Sequence, residues 1–260
     1  MRWVYLPAVL LLSALTGGCA VSTAAPAEEL ATTVEAVNPI DNLRFFLCAE
    51  APEDGVYLYW LQDSDETFPG ASGRYIFFQE GHGIHFDLPF TPWWDIGIAC
   101  MDLDGDGSKE LAITGNAGHG TGFDVDDLHV FTIGKANPFL SNDYFDYTDH
   151  VFSYEEVAAF INDRLICRQG ERTLELTLEG TSITVPMEEG LPWPKFQEAH
   201  VGCYIGFSFD KEGILAYASV NTSFKTYYNP HIIADITARV TFDGTYFQIG
   251  DLAFKDLRDS

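Results

Sequence analysis

The sequence has few basic residues and lacks several of the motifs by which enzymes are recognised. Its 260 residues include 14 Lys and Arg against 39 Asp and Glu, a formal net charge of −25. A surface with this charge repels phosphate backbones, so nucleic-acid binding is not expected. The Gly-Lys-Ser/Thr ending of a phosphate-binding loop, the Gly-x-Ser-x-Gly elbow and the His-Glu-x-x-His zinc motif are all missing. The sequence therefore predicts none of the enzyme classes that carry them.

The N-terminal hydrophobic run is too short to span a bilayer permanently. Residues 3–15 are almost wholly apolar and follow a single charge, Arg2, whereas a spanning helix needs about 20 apolar residues. The run fits a secretory signal, and the Leu-Thr-Gly-Gly-Cys segment that ends it at Cys19 resembles a bacterial lipobox. We predict a lipoprotein signal peptide over residues 1–18 and a lipid on Cys19. Thr16 stands three residues before Cys19, where Leu is the commonest lipobox residue. The alternative is therefore an ordinary signal-peptide cleavage slightly downstream.

The residues after Cys19 differ in composition from the rest of the chain. Residues 19–39 are rich in Ala, Thr, Glu and Pro and contain no aromatic residue, which is typical of a flexible tether. The whole chain is 47% hydrophobic, with 20 Phe, 12 Tyr and 5 Trp, enough to build a true core. We therefore predict a single β-rich domain over residues 40–260, held by a lipid anchor on the outer face of a bacterial cell membrane.

Cysteines are few, and their spacing does not indicate a zinc site. Apart from Cys19 the chain has Cys48, Cys100, Cys167 and Cys203. Four cysteines in an exported protein allow three disulfide patterns, and nothing local selects one of them. The alternative is four buried thiols that behave as small hydrophobic side chains.

Short hydrophobic runs predict β-strands over most of the chain. Residues 56–61 and 74–79 are aromatic-rich runs, and residues 84–90 alternate strictly between apolar and polar. Tight turns are indicated at Glu179-Gly180, between Phe209 and Ile214, and at Asp243-Gly244. We expect a mainly β fold of antiparallel meandering sheets, arranged as a propeller-like structure, a sandwich or a barrel.

One helix is predicted near residues 153–167. Ser153 and Glu156 have the spacing of a capping box, and apolar residues then recur at helical intervals as far as Leu165. Gly170 can end the segment. We expect this helix to pack on a sheet.

The clearest motif is an acidic loop between two predicted strands. It places carboxylates at its first, third, fifth and ninth positions, a glycine at the sixth and a serine carbonyl at the seventh. Ca²⁺ binds several oxygens around one point, and alternating acidic residues on a tightly turned loop supply them. An EF-hand would need Glu at the twelfth position, where Ile113 stands. We predict a Ca²⁺ site over residues 102–110 with the ligands Asp102, Asp104, Asp106, Ser108 and Glu110.

This loop resembles the calcium loops of FG-GAP and VCBS-like repeats, which lie between strands of integrin-type propellers. The resemblance covers about residues 96–133 in a single copy and implies the same ligand set. Residues 81–92, 115–122 and 128–130 extend it to a set of secreted proteins of Gram-positive bacteria. That wider resemblance implies a secreted lipoprotein of Gram-positive bacteria and brings no activity with it.

Glycines follow the acidic loop at close intervals. Gly115, Gly118, Gly120 and Gly122 predict a mobile or tightly wound connecting loop.

Two groups of side chains could form a ligand site of another kind. His82, His85 and Asp87, together with His119, could converge as a transition-metal or acid–base cluster, or could be a solvated strand face. Trp93 and Trp94 could stack on a sugar ring or belong to the core.

Two function hypotheses follow. The first is a non-enzymatic, calcium-stabilised surface lipoprotein with a binding or adhesion role and a carbohydrate or protein ligand. The second is a secreted hydrolase of cell-wall or polysaccharide material that uses the histidine cluster near the two tryptophans.

Overall fold

The computed structural model describes residues 43–63, 73–79, 82–90, 95–133, 147–186, 196–224 and 231–255. The described strands fall into two compact units, one before residue 92 and one after it. The predicted signal peptide over 1–18 and tether over 19–39 lie outside the described residues. The single domain predicted for residues 40–260 stays a prediction.

The first unit is a four-stranded antiparallel sheet whose strands pair in chain order. They are β1 (Leu43–Ala51), β2 (Val56–Asp63), β3 (Gly73–Gln79) and β4 (His82–Leu88), with a 3-10 turn at Pro52–Asp54. On β2, Val56, Leu58 and Trp60 are buried while Tyr57 and Tyr59 are less so, the period-two pattern of a strand with one buried face. The aromatic runs therefore form the strands that the sequence predicts.

The second unit contains two further sheets. The eight-stranded sheet has the path β15-β14-β13-β12-β7-β6-β5, with β8 paired to β7, and the three-stranded sheet has the order β11-β10-β9. Their bounds are β5 (Gly97–Met101), β6 (Glu110–Gly120), β7 (Phe123–Ile133), β8 (Tyr147–Phe152), β9 (Leu165–Gln169), β10 (Thr173–Leu178), β11 (Thr181–Pro186), β12 (Phe196–Asp210), β13 (Gly213–Phe224), β14 (His231–Phe242) and β15 (Phe247–Lys255). The prediction of a mainly β fold with antiparallel sheets and one helix is confirmed; the described strands form open sheets and no closed barrel.

The large sheet has one parallel junction, between β7 and β12. Among the residues that the structure describes, these strands pair at Tyr204–Asp124 and Ile205–Val125. At the same place β12 has a bulge, which is seen as a shift of its register against β13 between Val201 and Ile205. The side chain of Asn162 bonds to the backbone of the bulge: its Nδ2 donates to the Val201 carbonyl at 2.9 Å, and the Val201 N–H donates to its Oδ1 at 2.8 Å. A side-chain amide thus takes the place of a neighbouring strand there.

The helix α1 (Tyr154–Asn162) begins where the sequence predicts and ends earlier. Ser153 is its N-cap, and both hydrogen bonds of the capping box with Glu156 are present. Val157 and Ile161 are buried and belong to the main core cluster. Residues 165–167, expected in the helix, lie instead in β9, because Leu165–Gln169 pairs with β10. Gly170 lies in the turn between these strands, where its N–H donates to the Thr173 carbonyl at 2.8 Å.

The predicted turn between Phe209 and Ile214 is a two-residue turn that joins β12 to β13, because Asp210 pairs with Gly213. Glu179 and Gly180 both have positive φ, of 47° and 85°, and join β10 to β11 as a two-residue turn, as predicted. The turn at Asp243-Gly244 is longer than expected. Phe242 pairs with Phe247, so the loop has four residues, closed by the Asp243 N–H donating to the Tyr246 carbonyl at 3.2 Å.

None of the four described cysteines forms a disulfide, and each is a thiol. Cys100 is buried and the other three are half-buried. Burial raises the pKa of Cys48 to about 12 and also raises the pKa values of Cys167 and Cys203. Of the two alternatives left open by the sequence, the structure shows the thiols.

Candidate metal centre

The acidic loop is the turn of the hairpin formed by β5 and β6. Met101 pairs with Glu110 across the hairpin, so the eight residues between them form the loop. Its backbone takes positive φ at Gly105 (78°) and Gly107 (91°), a conformation in which only glycine avoids strain. The expected arrangement, with an acidic loop curling between two strands and a glycine at its sixth position, is what the structure shows.

The aspartates hold this loop through its own backbone N–H groups. Asp102 accepts from Gly105 and Gly107 at 2.8 and 3.1 Å, one bond to each carboxylate oxygen. Asp104 Oδ1 accepts from the Asp106 N–H at 3.0 Å, and Asp106 Oδ1 accepts from the Ser108 N–H at 2.6 Å. These bonds point the three carboxylates toward the inside of the turn.

Three of the five predicted ligands meet at one point. One carboxylate oxygen from each of Asp102, Asp104 and Asp106 lies within 4.8 Å of the others. Glu110 is outside this group: its Oε2 accepts the Leu103 N–H at 2.8 Å. Ser108 contributes its N–H to the loop, as described above.

Glu110 is the buried carboxylate of the hairpin, with 2% of its surface exposed. Burial raises its pKa, the Leu103 N–H opposes that rise, and the charges of Asp104 and Asp106 add to it. Its bond to Leu103 closes the base of the loop. Glu110 therefore supports the turn, whereas the three aspartates form the group that can hold a cation.

The donor set fits calcium. Hard divalent cations prefer oxygen ligands, and Ca²⁺ accepts carboxylates together with backbone carbonyls in flexible geometry. Three carboxylates this close repel one another in the absence of a cation. Asp102, Asp104 and Asp106 would hold the ion, which would offset that repulsion and stabilise the hairpin.

The glycine-rich segment is the second half of β6 and the two-residue turn that follows it, so the prediction of a connecting loop was wrong. Gly115, Gly118 and Gly120 lie in β6, which pairs with β7 along its length, and only Thr121 and Gly122 separate the two strands. Cross-strand pairing continues past a bulge near Asn116–Gly118. Backbone hydrogen bonding with β7 therefore outweighs the low strand propensity of glycine.

The predicted histidine cluster is divided between the two units. His82, His85 and Asp87 lie on β4 of the first unit. His119 belongs to the second unit, where its Nδ1 is 3.3 Å from Asp124 Oδ1. The convergence of these four residues stays a prediction. Trp93, Trp94 and the proposed lipidation site Cys19 lie outside the described residues.

A second polar cluster surrounds Asp126, and the sequence analysis missed it. Asp124 and Asp126 are two residues apart on β7, and Asn116 Nδ2 donates to Asp124 Oδ1 at 2.7 Å. Burial raises the pKa of Asp126 to about 7, with the charge of Asp124 as the next cause, and the polar side chain of Asn116, which faces Asp126 across the strand pair, opposes the rise. The Asp-Val-Asp alternation, which places both side chains on one strand face, was the available signal.

Another pair missed by the sequence analysis joins β7 to β8. His129 is buried, and its Nδ1 lies 3.0 Å from both carboxylate oxygens of Asp149. His129 pairs with Val151 in the strand register. The contact ties the short strand β8 to the sheet.

Comparison of the chain with protein-family models, curated proteins and solved structures finds no match. The resemblance to FG-GAP and VCBS-like loops therefore stays a prediction from the residues. Among the described residues, none of the helices has the length and apolar character needed to cross a membrane.

Proposed function

We propose that this protein is a calcium-stabilised binding protein of the bacterial cell surface, carried by a lipid on Cys19. The observation that carries the proposal is the meeting of Asp102, Asp104 and Asp106 within 4.8 Å at the tip of one hairpin. Calcium has a structural role in this proposal. It neutralises the loop carboxylates and keeps β5 and β6 in register, and extracellular modules need only weak sites for this purpose, with Kd on the order of 10⁻⁴–10⁻³ M.

The loop also supports a neighbouring part of the sheet. A Cβ atom added at Gly244 would lie 2.9 Å from Asp104 Oδ2, so the Asp104 carboxylate packs directly against the loop between β14 and β15. Leu103 packs against the core cluster of the second unit. Ordering of the acidic loop by a cation would therefore steady both the hairpin and the adjacent turn.

Thermal unfolding of the purified full-length protein tests the proposal. With about 10 mM Ca²⁺ and Kd near 10⁻⁴–10⁻³ M, binding to the folded state adds about 1.4–2.7 kcal/mol to the free energy of unfolding. This corresponds to a Tm rise of roughly 3–10 °C for a domain of this size. Mg²⁺ at the same concentration should raise Tm less, because it demands small octahedral sites and keeps its water ligands.

Asp104→Asn is the sharper variant, because the amide oxygen can still accept the Asp106 N–H while one negative charge is removed. Without calcium this variant should melt slightly higher than the wild type, since repulsion is relieved, and its calcium-dependent rise should be much smaller. Asp163→Asn, at an exposed position after α1, should keep the full rise. A wild-type Tm that is the same in chelator and in calcium would contradict the proposal.

A further inference from the structure

A cleft of about 250 Å³ opens on the second unit between β8, the first turn of α1 and the loop that joins β14 to β15. It is lined by residues 150–152, Glu156 and residues 245–247. Drug-sized ligands occupy pockets of roughly 300–1,000 Å³. This cleft is smaller, and its size suits a single ring.

Three aromatic rings that line the cleft, those of His150, Phe152 and Phe247, contact one another or the buried ring of Phe242 beside them. Phe152 and Phe247 are stacked, with centroids 5.0 Å apart and an interplanar angle of 17°. Phe242 lies 4.9 Å from Phe247, and the His150 ring meets Phe242 edge-on at 4.9 Å. Phe152 and Phe242 are buried core residues. The aromatic lining of the cleft is therefore continuous with the core of the second unit.

Tyr246 stands at the rim of the cleft with 70% of its surface exposed, the highest value among the large apolar side chains described as exposed. Its backbone is held in place: Asp243 Oδ1 accepts the N–H groups of Thr245 at 3.0 Å and Tyr246 at 2.8 Å. An exposed aromatic ring on a fixed backbone beside a cleft offers a ligand an apolar face.

Polar groups stand beside these rings. The Thr245 hydroxyl and the His150 ring nitrogens can donate or accept hydrogen bonds. Glu156 uses Oε2 to accept from Ser153 N and Oγ, at 2.9 and 3.0 Å, and its Oε1 is a second acceptor for a ligand hydroxyl group. The cleft includes this carboxylate, and the chain carries a net charge of −25, which disfavours an anionic ligand.

We propose that this cleft binds one neutral sugar ring, with the apolar face of the ring on Tyr246 and its hydroxyl groups bonded to Thr245, His150 and Glu156. Sugar rings combine an apolar face with a fringe of hydroxyl groups, and the cleft offers both partners side by side. This inference rests on the binding role proposed above and names its ligand class. The acidic loop adjoins the cleft through Asp104 and Gly244, so calcium would steady the rim that carries Tyr246.

Saturation-transfer NMR on the full-length protein, with the methyl glycosides of glucose, galactose, mannose and N-acetylglucosamine as probes, tests the inference. At least one neutral glycoside should receive saturation on the ring protons of its apolar face, and sialic acid, an anionic sugar, should receive none. Tyr246→Ala should weaken binding by about tenfold, the order expected from losing one aromatic contact. Tyr246→Phe should bind as the wild type does.

Tyr217→Ala is the matched control, since Tyr217 is another exposed tyrosine of the same unit, on β13 and outside the cleft. It should leave glycoside binding unchanged. Absence of saturation for every neutral glycoside, or equal binding by Tyr246→Ala, would overturn the cleft assignment. The calcium melts give an independent result: a calcium-dependent Tm without glycoside binding overturns the cleft alone, and glycoside binding without a calcium effect overturns the metal site alone.

Discussion

Asp126 is a half-buried carboxyl whose protonation should couple measurably to the stability of the fold. Its pKa rises from the ordinary 3.8 to about 7 in the folded protein, mainly through burial and then through the charge of Asp124. The folded state therefore holds a proton that the unfolded chain releases near pH 4. Between these two values the unfolded state binds fewer protons, so the contribution of Asp126 to stability falls as pH rises.

Asp126→Asn should accordingly gain stability relative to the wild type as pH rises. The amide stays neutral, so the difference in Tm between variant and wild type should be small near pH 4, grow through the window up to about pH 7, and level off above it. Thermal melts of both proteins at half-unit intervals of pH measure this difference.

Asp124→Asn provides the check on the cause. With the neighbouring charge removed, the pKa of Asp126 should fall toward its ordinary value. The pH-dependent difference in Tm between Asp124→Asn and the double variant Asp124→Asn, Asp126→Asn should then be smaller than the difference between the wild type and Asp126→Asn. A difference in Tm that is constant across the pH range would show that the Asp126 carboxyl is not perturbed.

At the scale of elements, the end of α1 and the bulge of β12 depend on each other through Asn162. Removing the amide with Asn162→Ala leaves the N–H and carbonyl of Val201 without this partner. An unsatisfied, partly buried backbone group costs about 1–3 kcal/mol, so we expect a loss near 2 kcal/mol in the free energy of unfolding, measured by urea denaturation.

Asp163→Ala changes the next residue, which is exposed and follows the last residue of the helix. Its effect should stay within about 0.5 kcal/mol, because surface substitutions away from such contacts change stability little. Equal losses for the two variants would show that the Asn162 bonds do not stabilise the bulge.

Those elements whose signal is local were predictable from the sequence. The Glu179-Gly180 turn and the alternating leucines of β10 specify a hairpin by themselves, because turn conformation and burial repeat over a few residues. The capping box of Ser153 and the acidic loop belong to the same class. Each is a short motif whose hydrogen bonds close within the motif.

Elements that depend on distant partners were not predictable. Leu165 continues the helical spacing of α1, yet it pairs with Leu178 in β9–β10, and the sequence around Leu165 carries no trace of that partner. The glycines of β6 are likewise ordered by β7. The Asp126 cluster depends on a strand face shared with Asn116. The β7–β12 junction depends on two pairs of residues that are far apart in sequence.

At the scale of the whole molecule, the excess of acidic residues opposes folding in a way that salt and calcium should relieve separately. The net charge of −25 makes the compact state repel itself. Monovalent salt shortens the screening length from about 10 Å at 0.1 M to about 3 Å at 1 M. Calcium instead acts at one loop, where three carboxylates lie within 4.8 Å, too close for monovalent salt to screen fully.

Raising NaCl from about 0.1 to 1 M in the presence of a chelator should therefore raise the Tm of the wild type and of Asp104→Asn by similar amounts, because most of the screened repulsion lies outside the loop. Adding calcium at each salt concentration should raise Tm further in the wild type and little in the variant. The calcium increment should decrease as salt increases without reaching zero. If NaCl alone removes the whole calcium increment, the ion acts as general screening and the loop has no specific site.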